Sequence, residues 1–226
     1  MVRPADAAPR PTADAVLDAA VRALAPDSGA NRTVARIAAG QAPRALFTTF
    51  ALEQHRVIAS DRLSFRHLTH RADADPPVAA FFELLADGEA TALERLDALN
   101  KALGIAPSTL DGYEPRPGCQ AYPSYAARLA LGVEPVDVVI ALTANFAAWG
   151  AYCATVGRAM REHYGLPDAA CGFFDLFAEP SPELDRRALA AVAHGLETGQ
   201  ARPLEAHRHG RLLQAYELMF WDALDD

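Results

Sequence analysis

Residues 211–224 read Arg-Leu-Leu-Gln-Ala-Tyr-Glu-Leu-Met-Phe-Trp-Asp-Ala-Leu. At about 100° per residue, Leu213, Phe220 and Leu224 share one stripe, and Tyr216 and Trp221 flank it. This is the period of a helix, not the alternation of a strand. Glu217 falls inside the apolar stripe, whereas Arg211, Gln214, Leu218 and Asp222 are expected to point largely away from it. A carboxylate among apolar and aromatic neighbours is costly unless it is paired, hydrogen-bonded or protonated. That setting suits a general acid–base group near neutral pH. The plainer alternative is a glutamate at the stripe's edge that reaches solvent or meets an arginine.

The rest of the chain reads in the same style. Alanine is roughly a fifth of the 226 residues and leucine about a tenth, while valine, isoleucine and threonine are sparse. No period-2 run marks a strand, so the fold class is all-α. A first helix follows Thr12 or Asp14 and ends near Pro26. A short one starts at the N-cap Asn31 and stops at Gly40. Pro43 opens a long helix to about Arg71. Pro76–Pro77 opens another to Gly88, which 90–103 continues or follows as a new helix. The proline-rich stretch 104–118 reads as a loop within one domain. Helices near 119–131, 135–164, 182–197 and 203–224 follow, with a short aromatic turn at 171–177. The expectation is about eight helices, with residues 1–12 as a flexible lead and 13–226 as a single helical domain.

A formal charge of −8 and a pI near 5.3 speak against nucleic-acid binding, since no basic excess exists to displace counterions. Cys119, Cys153 and Cys171 form no CxxC pair, which suits reduced thiols in a cytoplasmic chain. The first residues hold no apolar signal-peptide core, and the apolar stretch 136–152 is read as too short and interrupted to span a bilayer. His67 and His70 are spaced as helix metal ligands can be, but no Glu-x-x-His motif accompanies them. No metal and no cofactor is expected.

In the helix from Pro135, Val138, Ala141, Leu142, Asn145, Trp149, Tyr152 and Val156 share a face. Asn145 is its lone amide, and a buried amide needs partners. Those partners can be a neighbouring helix or a ligand. Trp149 and Tyr152 are core packing by default, yet their coincidence with Asn145 suits a mostly apolar pocket with few polar groups. Tyr122, Tyr125 and Leu129 stand at i, i+3 and i+7, so the tyrosine hydroxyls could line the same cavity.

The run Ala121-Tyr-Pro-Ser-Tyr-Ala-Ala-Arg-Leu-Ala-Leu, the helix 136–160, the segment Phe173-Phe-Asp-Leu-Phe and the ending Tyr216-Glu-Leu-Met-Phe-Trp221 resemble the TenA/thiaminase II family. The resemblance runs from about residue 30 to 224 and implies a haem-oxygenase-like multi-helix bundle. Enzymes of that family hydrolyse thiamin or aminomethylpyrimidine, holding the aminopyrimidine between aromatic rings. The resemblance implies that Glu217 is the catalytic glutamate. It further implies that Tyr122, Trp149, Phe177 and Tyr216 belong to the aromatic pocket. Two positions depart from the family. Asn145 stands where the cysteine nucleophile is expected and cannot supply a thiolate. Glu53-Gln54 aligns with a Gln-Asp pair whose carboxylate grips the aminopyrimidine, leaving Gln54 as a neutral partner or Glu53 as a substitute.

Three readings follow: a salvage-type hydrolase working without the cysteine, a ligand-binding or regulatory relative without turnover, or an oxidative enzyme like the PqqC and di-iron branches of the fold. The expected partner is a small aminopyrimidine-like molecule, with no nucleic acid and no membrane. The resemblance, with the abundance of apolar helix surface, also implies a homo-oligomer, either dimer or tetramer.

Overall fold

The computed structural model describes residues 11–27 and 29–225. Residues 1–10 of the expected lead lie outside the described residues. All regular structure is helical, in ten helices among the described residues. They are α1 (Ala13–Leu24), α2 (Arg32–Ala38), α3 (Ala45–Arg71), α4 (Pro76–Leu103) and α5 (Pro107–Gly112). The chain continues through α6 (Pro117–Gly132), α7 (Pro135–Glu162), α8 (Asp168–Ala178), α9 (Pro182–Thr198) and α10 (Pro203–Ala223).

Local chemistry sets most boundaries. Thr12 accepts from the Ala15 N–H and Asn31 from the Val34 N–H, so both expected N-caps are in place. Proline is the first residue of α4, α5, α6, α7, α9 and α10, where its missing N–H costs no helical bond. Gly104 and Gly199 end α4 and α9 in the left-handed conformation, at φ 70° and 76°.

The expected map leaves 90–103 open and differs from the fold in two other places. Of the two alternatives for 90–103 the fold takes the continuation, and the helix from Pro76 runs through Gly88 unbroken to Leu103. The stretch 104–118 carries the short α5, and α6 begins at Pro117. The supposed aromatic turn at 171–177 is the body of α8, with Phe173 and Phe174 fully buried.

Two core halves stack along the bundle. One gathers α1, α9 and the first half of α7 around Phe65, Phe81 and Phe82. The other gathers α2, α8 and the second half of α7 around Phe47, Phe50, Phe173, Phe174 and Trp221. Tyr122 packs against both halves. By length and apolarity alone α7 would qualify as a bilayer-spanning helix, contrary to the reading of 136–152 as too short. Half of its most apolar window is buried, and it packs against α1, α2, α8, α9 and α10.

Long-range polar contacts fix the termini of these elements. Asp137, fully buried at the start of α7, accepts from the Arg202 backbone N–H at 2.6 Å and from its Nε at 3.2 Å. This ties the α9–α10 connection to α7. Arg71 Nη1 donates to the Ala130 and Val133 carbonyls, both at 2.8 Å, and closes the end of α6.

Candidate active site

The bundle leaves a cavity at the seam between the core halves. About 60 Å³ of it is free to the centres of water-sized molecules. Gln54, Val57, Ile58 and Asp61 of α3 line it, with Glu89 of α4, Tyr122 of α6, Asn145, Phe146 and Trp149 of α7, Phe177 of α8, and Glu217 and Phe220 of α10. Six residues singled out from the sequence therefore meet at one place: Gln54, Tyr122, Asn145, Trp149, Phe177 and Glu217.

Three helices contribute one polar chain. The Tyr122 hydroxyl donates to Asn145 Oδ1 at 3.2 Å, and Asn145 Nδ2 donates to Glu217 Oε2 at 2.6 Å. Glu217 is 4% exposed. Its other oxygen, Oε1, is buried with no hydrogen-bond partner, as is the Trp221 indole N–H one turn further on. Burial pushes the Glu217 pKa up to about 8. The Asn145 amide opposes this, and so does the nearby Trp221 indole, whose geometry falls short of a hydrogen bond. At neutral pH the residue is mostly a carboxylic acid, with Oε1 as the oxygen left to carry the proton.

Aromatic rings wall the cavity. Trp149 meets Phe177 edge-on at 5.9 Å, Trp221 at 5.6 Å and Phe220 at 6.4 Å between centroids. Phe177 is held close because α8 ends against α7 at Gly150. A Cβ there would lie 2.9 Å from the Phe177 carbonyl oxygen.

Three expected residues do not line the cavity: Glu53, Tyr216 and Tyr125, whose hydroxyl meets His209 Nδ1 at 2.9 Å instead. Neighbouring residues on a helix point about 100° apart, so α3 turns Gln54 inward and Glu53 aside. Glu53 is fully buried. It accepts from the Tyr113 hydroxyl at 2.7 Å, the Arg116 backbone N–H at 2.7 Å and Gln120 Nε2 at 2.5 Å. It therefore fastens the segment before α6 and the first turn of α6 onto α3. Tyr216, also about 100° from Glu217, packs on Tyr125 at 5.1 Å between centroids. A further correction concerns Gln214, expected to face away. It lies only about 60° from Glu217, is 7% exposed and donates to the Ala144 carbonyl at 3.3 Å.

The sequence reading missed two acidic groups. Asp61 stands seven residues after Gln54, almost on the same face of α3. It is 5% exposed, with Oδ1 buried and unpartnered. Burial pushes its pKa up to about 8. For Glu89, burial of the carboxyl and then the Asp61 charge push the pKa well up, although part of the residue still reaches the surface. Asp61 occupies an apolar stripe just as Glu217 does, so the same argument from periodicity would have found it.

Cys153 is fully buried and does not line the cavity, and burial followed by the Glu217 charge pushes its thiol well up. It is no thiolate replacement for the missing nucleophile. His67 and His70 are exposed on α3. Among the described residues no three His, Cys, Asp or Glu side chains group as metal ligands would.

No curated protein matches this chain. Among solved structures, one titled "TenA homologue protein from P.horikoshii OT3" superposes with a TM-score of 0.64, covering 94% of this chain and 95% of that one at 15% identity. That likeness is one of fold. The profile of the TENA/THI-4/PQQC family matches residues 33–224, a span that includes every residue lining the cavity. The bundle and the sequence agree, and the chain belongs to the TENA/THI-4/PQQC family.

Proposed function

We propose that this protein binds a small aminated heteroaromatic ring of the aminopyrimidine class in the seam cavity and hydrolyses its exocyclic C–N bond, with Glu217 as acid and base. Membership of the family supports a thiamin-salvage-like role. The observation that carries the mechanism is the Glu217 carboxyl, with one oxygen held by Asn145 and the other buried and unpartnered beside an aromatic-walled cavity.

The chemistry follows from that carboxyl. Protonated Glu217 gives its proton to the leaving amine as the C–N bond breaks. A water adds to the ring's methylene carbon, and the Glu217 carboxylate recovers the proton from that water. The net change is one C–N bond exchanged for one C–O bond, with ammonia released. Asn145 holds the carboxyl in place, and Tyr122 orients Asn145. Trp149, Phe177 and Phe220 offer faces and edges to the ring. A cysteine-borne covalent intermediate has no place in this scheme, because no cysteine lines the cavity.

Incubation with aminomethylpyrimidine is expected to release ammonia from the wild-type protein and not from Glu217→Gln. Tight binding with no ammonia favours the second reading, a binding relative without turnover, which Asn145 at the nucleophile's position also supports. Ammonia release that survives Glu217→Gln contradicts the assignment. Cleavage of thiamin itself is not expected. Leu63, Leu131 and Leu204 are exposed at 69%, 72% and 78%. We propose that such surface is covered in a homo-oligomer, and light scattering that finds only monomer at micromolar concentration would contradict this.

A further inference from the structure

We infer that Asp61 and Glu89 form a carboxyl pair that seats a positively charged group of the ligand, a protonated amine or amidine carried on its flat ring. The inference rests on reading the cavity as a ring-binding site, and it does not require that hydrolysis occurs.

The residues argue for it in three steps. First, the cavity lining holds three acidic side chains, Asp61, Glu89 and Glu217, and no lysine, arginine or histidine. Arg62, next to Asp61 in the chain, is not among the lining residues. Buried charge with no counter-charge is costly, so the missing partner must be a proton or a cation. Secondly, Asp61 is more than nine-tenths buried, and its Oδ1 is unpartnered although the side chain lines the cavity. A buried acceptor without a donor is rare in a finished structure and points to a donor brought in from outside.

Thirdly, Asp61 and Glu89 line the cavity from α3 and α4, while Glu217 enters it from α10. The Asp61 charge is felt at Glu89, whereas Glu217 owes its upward shift to its own burial alone, against the opposing pull of Asn145 and Trp221. One part of the site is thus suited to proton transfer and another to cation recognition. Glu89, Phe146, Trp149 and Phe177 also border a larger groove between α4, α7, α8 and α9. The pair therefore reaches to the wall between cavity and groove, with aromatic rings beside it.

Empty, the pair holds protons, because burial and mutual repulsion disfavour two adjacent carboxylates. An incoming amidinium replaces a proton. Its affinity therefore rises as pH climbs from about 6 to about 8, while that of a neutral isostere stays flat. The titratable groups facing Asp61 are Glu89 from α4, Tyr122 from α6 and Glu217 from α10.

The test compares benzamidine with benzamide, two flat rings that differ in charge, on the full-length protein by calorimetry. Wild type is expected to prefer benzamidine by about tenfold or more, the size of one charge-assisted hydrogen-bond pair. Asp61→Asn and Glu89→Gln abolish that preference and its pH dependence. Equal binding by wild type, no binding of benzamidine at millimolar concentration, a flat pH profile, or a preference that survives both substitutions overturns the inference. Should Asp61→Asn fail to fold, the partly exposed Glu89→Gln decides alone. If the cation preference follows Asp61 and Glu89 but ammonia is never released, the proposed reaction fails and this inference stands. Ammonia release without a cation preference gives the converse.

Discussion

Glu53 and Glu217 are both buried glutamates, yet they have opposite surroundings. Glu53, from α3, receives three hydrogen bonds, one of them from a backbone N–H. Glu217, from α10, receives one and leaves an oxygen bare beside the cavity. A carboxyl with both oxygens served is a fastener. A half-served carboxyl keeps an open valence and is held as an acid by its dry surroundings. The difference separates structure from chemistry among residues that a sequence alone presents as the same type.

Substitution should divide the two sharply. Glu217→Gln is expected to lower ammonia release by at least about 100-fold, the usual scale for losing general acid–base catalysis, and to leave thermal unfolding almost unchanged. Gln keeps an oxygen for the Asn145 amide and adds no charge. Glu53→Ala should behave in the opposite way. Three donors lose their acceptor, for a loss of about 3 kcal/mol, or roughly 10 °C in melting temperature for a chain of this size. Purified Glu53→Ala that melts with wild type would remove the contrast.

The pH dependence of stability sharpens the comparison further. Glu217 in the folded state keeps its proton to about pH 8, whereas in the unfolded chain it gives it up near the ordinary carboxylate value. Between those values the unfolded state binds fewer protons, so stability falls as pH rises, by at most about 1.4 kcal/mol per pH unit for this group. Asp61 adds a loss of the same sign. Wild type is expected to melt lower at pH 8 than at pH 5, and Glu217→Gln to show a shallower decline. An identical slope in the two proteins would contradict the burial argument. The smallest effect is expected from Gly150→Ala. Its Cβ presses on the Phe177 carbonyl, so the end of α8 must move away from α7 at a cost of about 1 kcal/mol, with a several-fold loss of ring affinity measured by calorimetry.

Much of this was readable in the residues. The alanine- and leucine-rich composition with no period-2 run carried the fold class, the helical period around Glu217 pointed to the carboxyl, and the face of α7 to Asn145 with Trp149. The missed features have physical causes. Asp61 lies in a long helix rich in charge, and an acidic residue followed by an arginine reads as a solvated turn until its place in the apolar stripe is counted. Glu89 follows Gly88, and with the continuation past that glycine left open the phase that sets its face is not fixed. Phe177 was found through family resemblance, although α8, at 11 residues, read only as a turn. Glu53 and Tyr216 adjoin true cavity residues in the chain, and one step along a helix turns a side chain away.

The account stands on Glu217 being a carboxylic acid at neutral pH. Infrared difference spectroscopy of wild type against Glu217→Gln, followed through a pH titration, reads that state directly. The account predicts a protonated carboxyl band at pH 7 that disappears around pH 8 and is missing from the variant. A band already gone by about pH 5, the behaviour of a solvated glutamate, would contradict it.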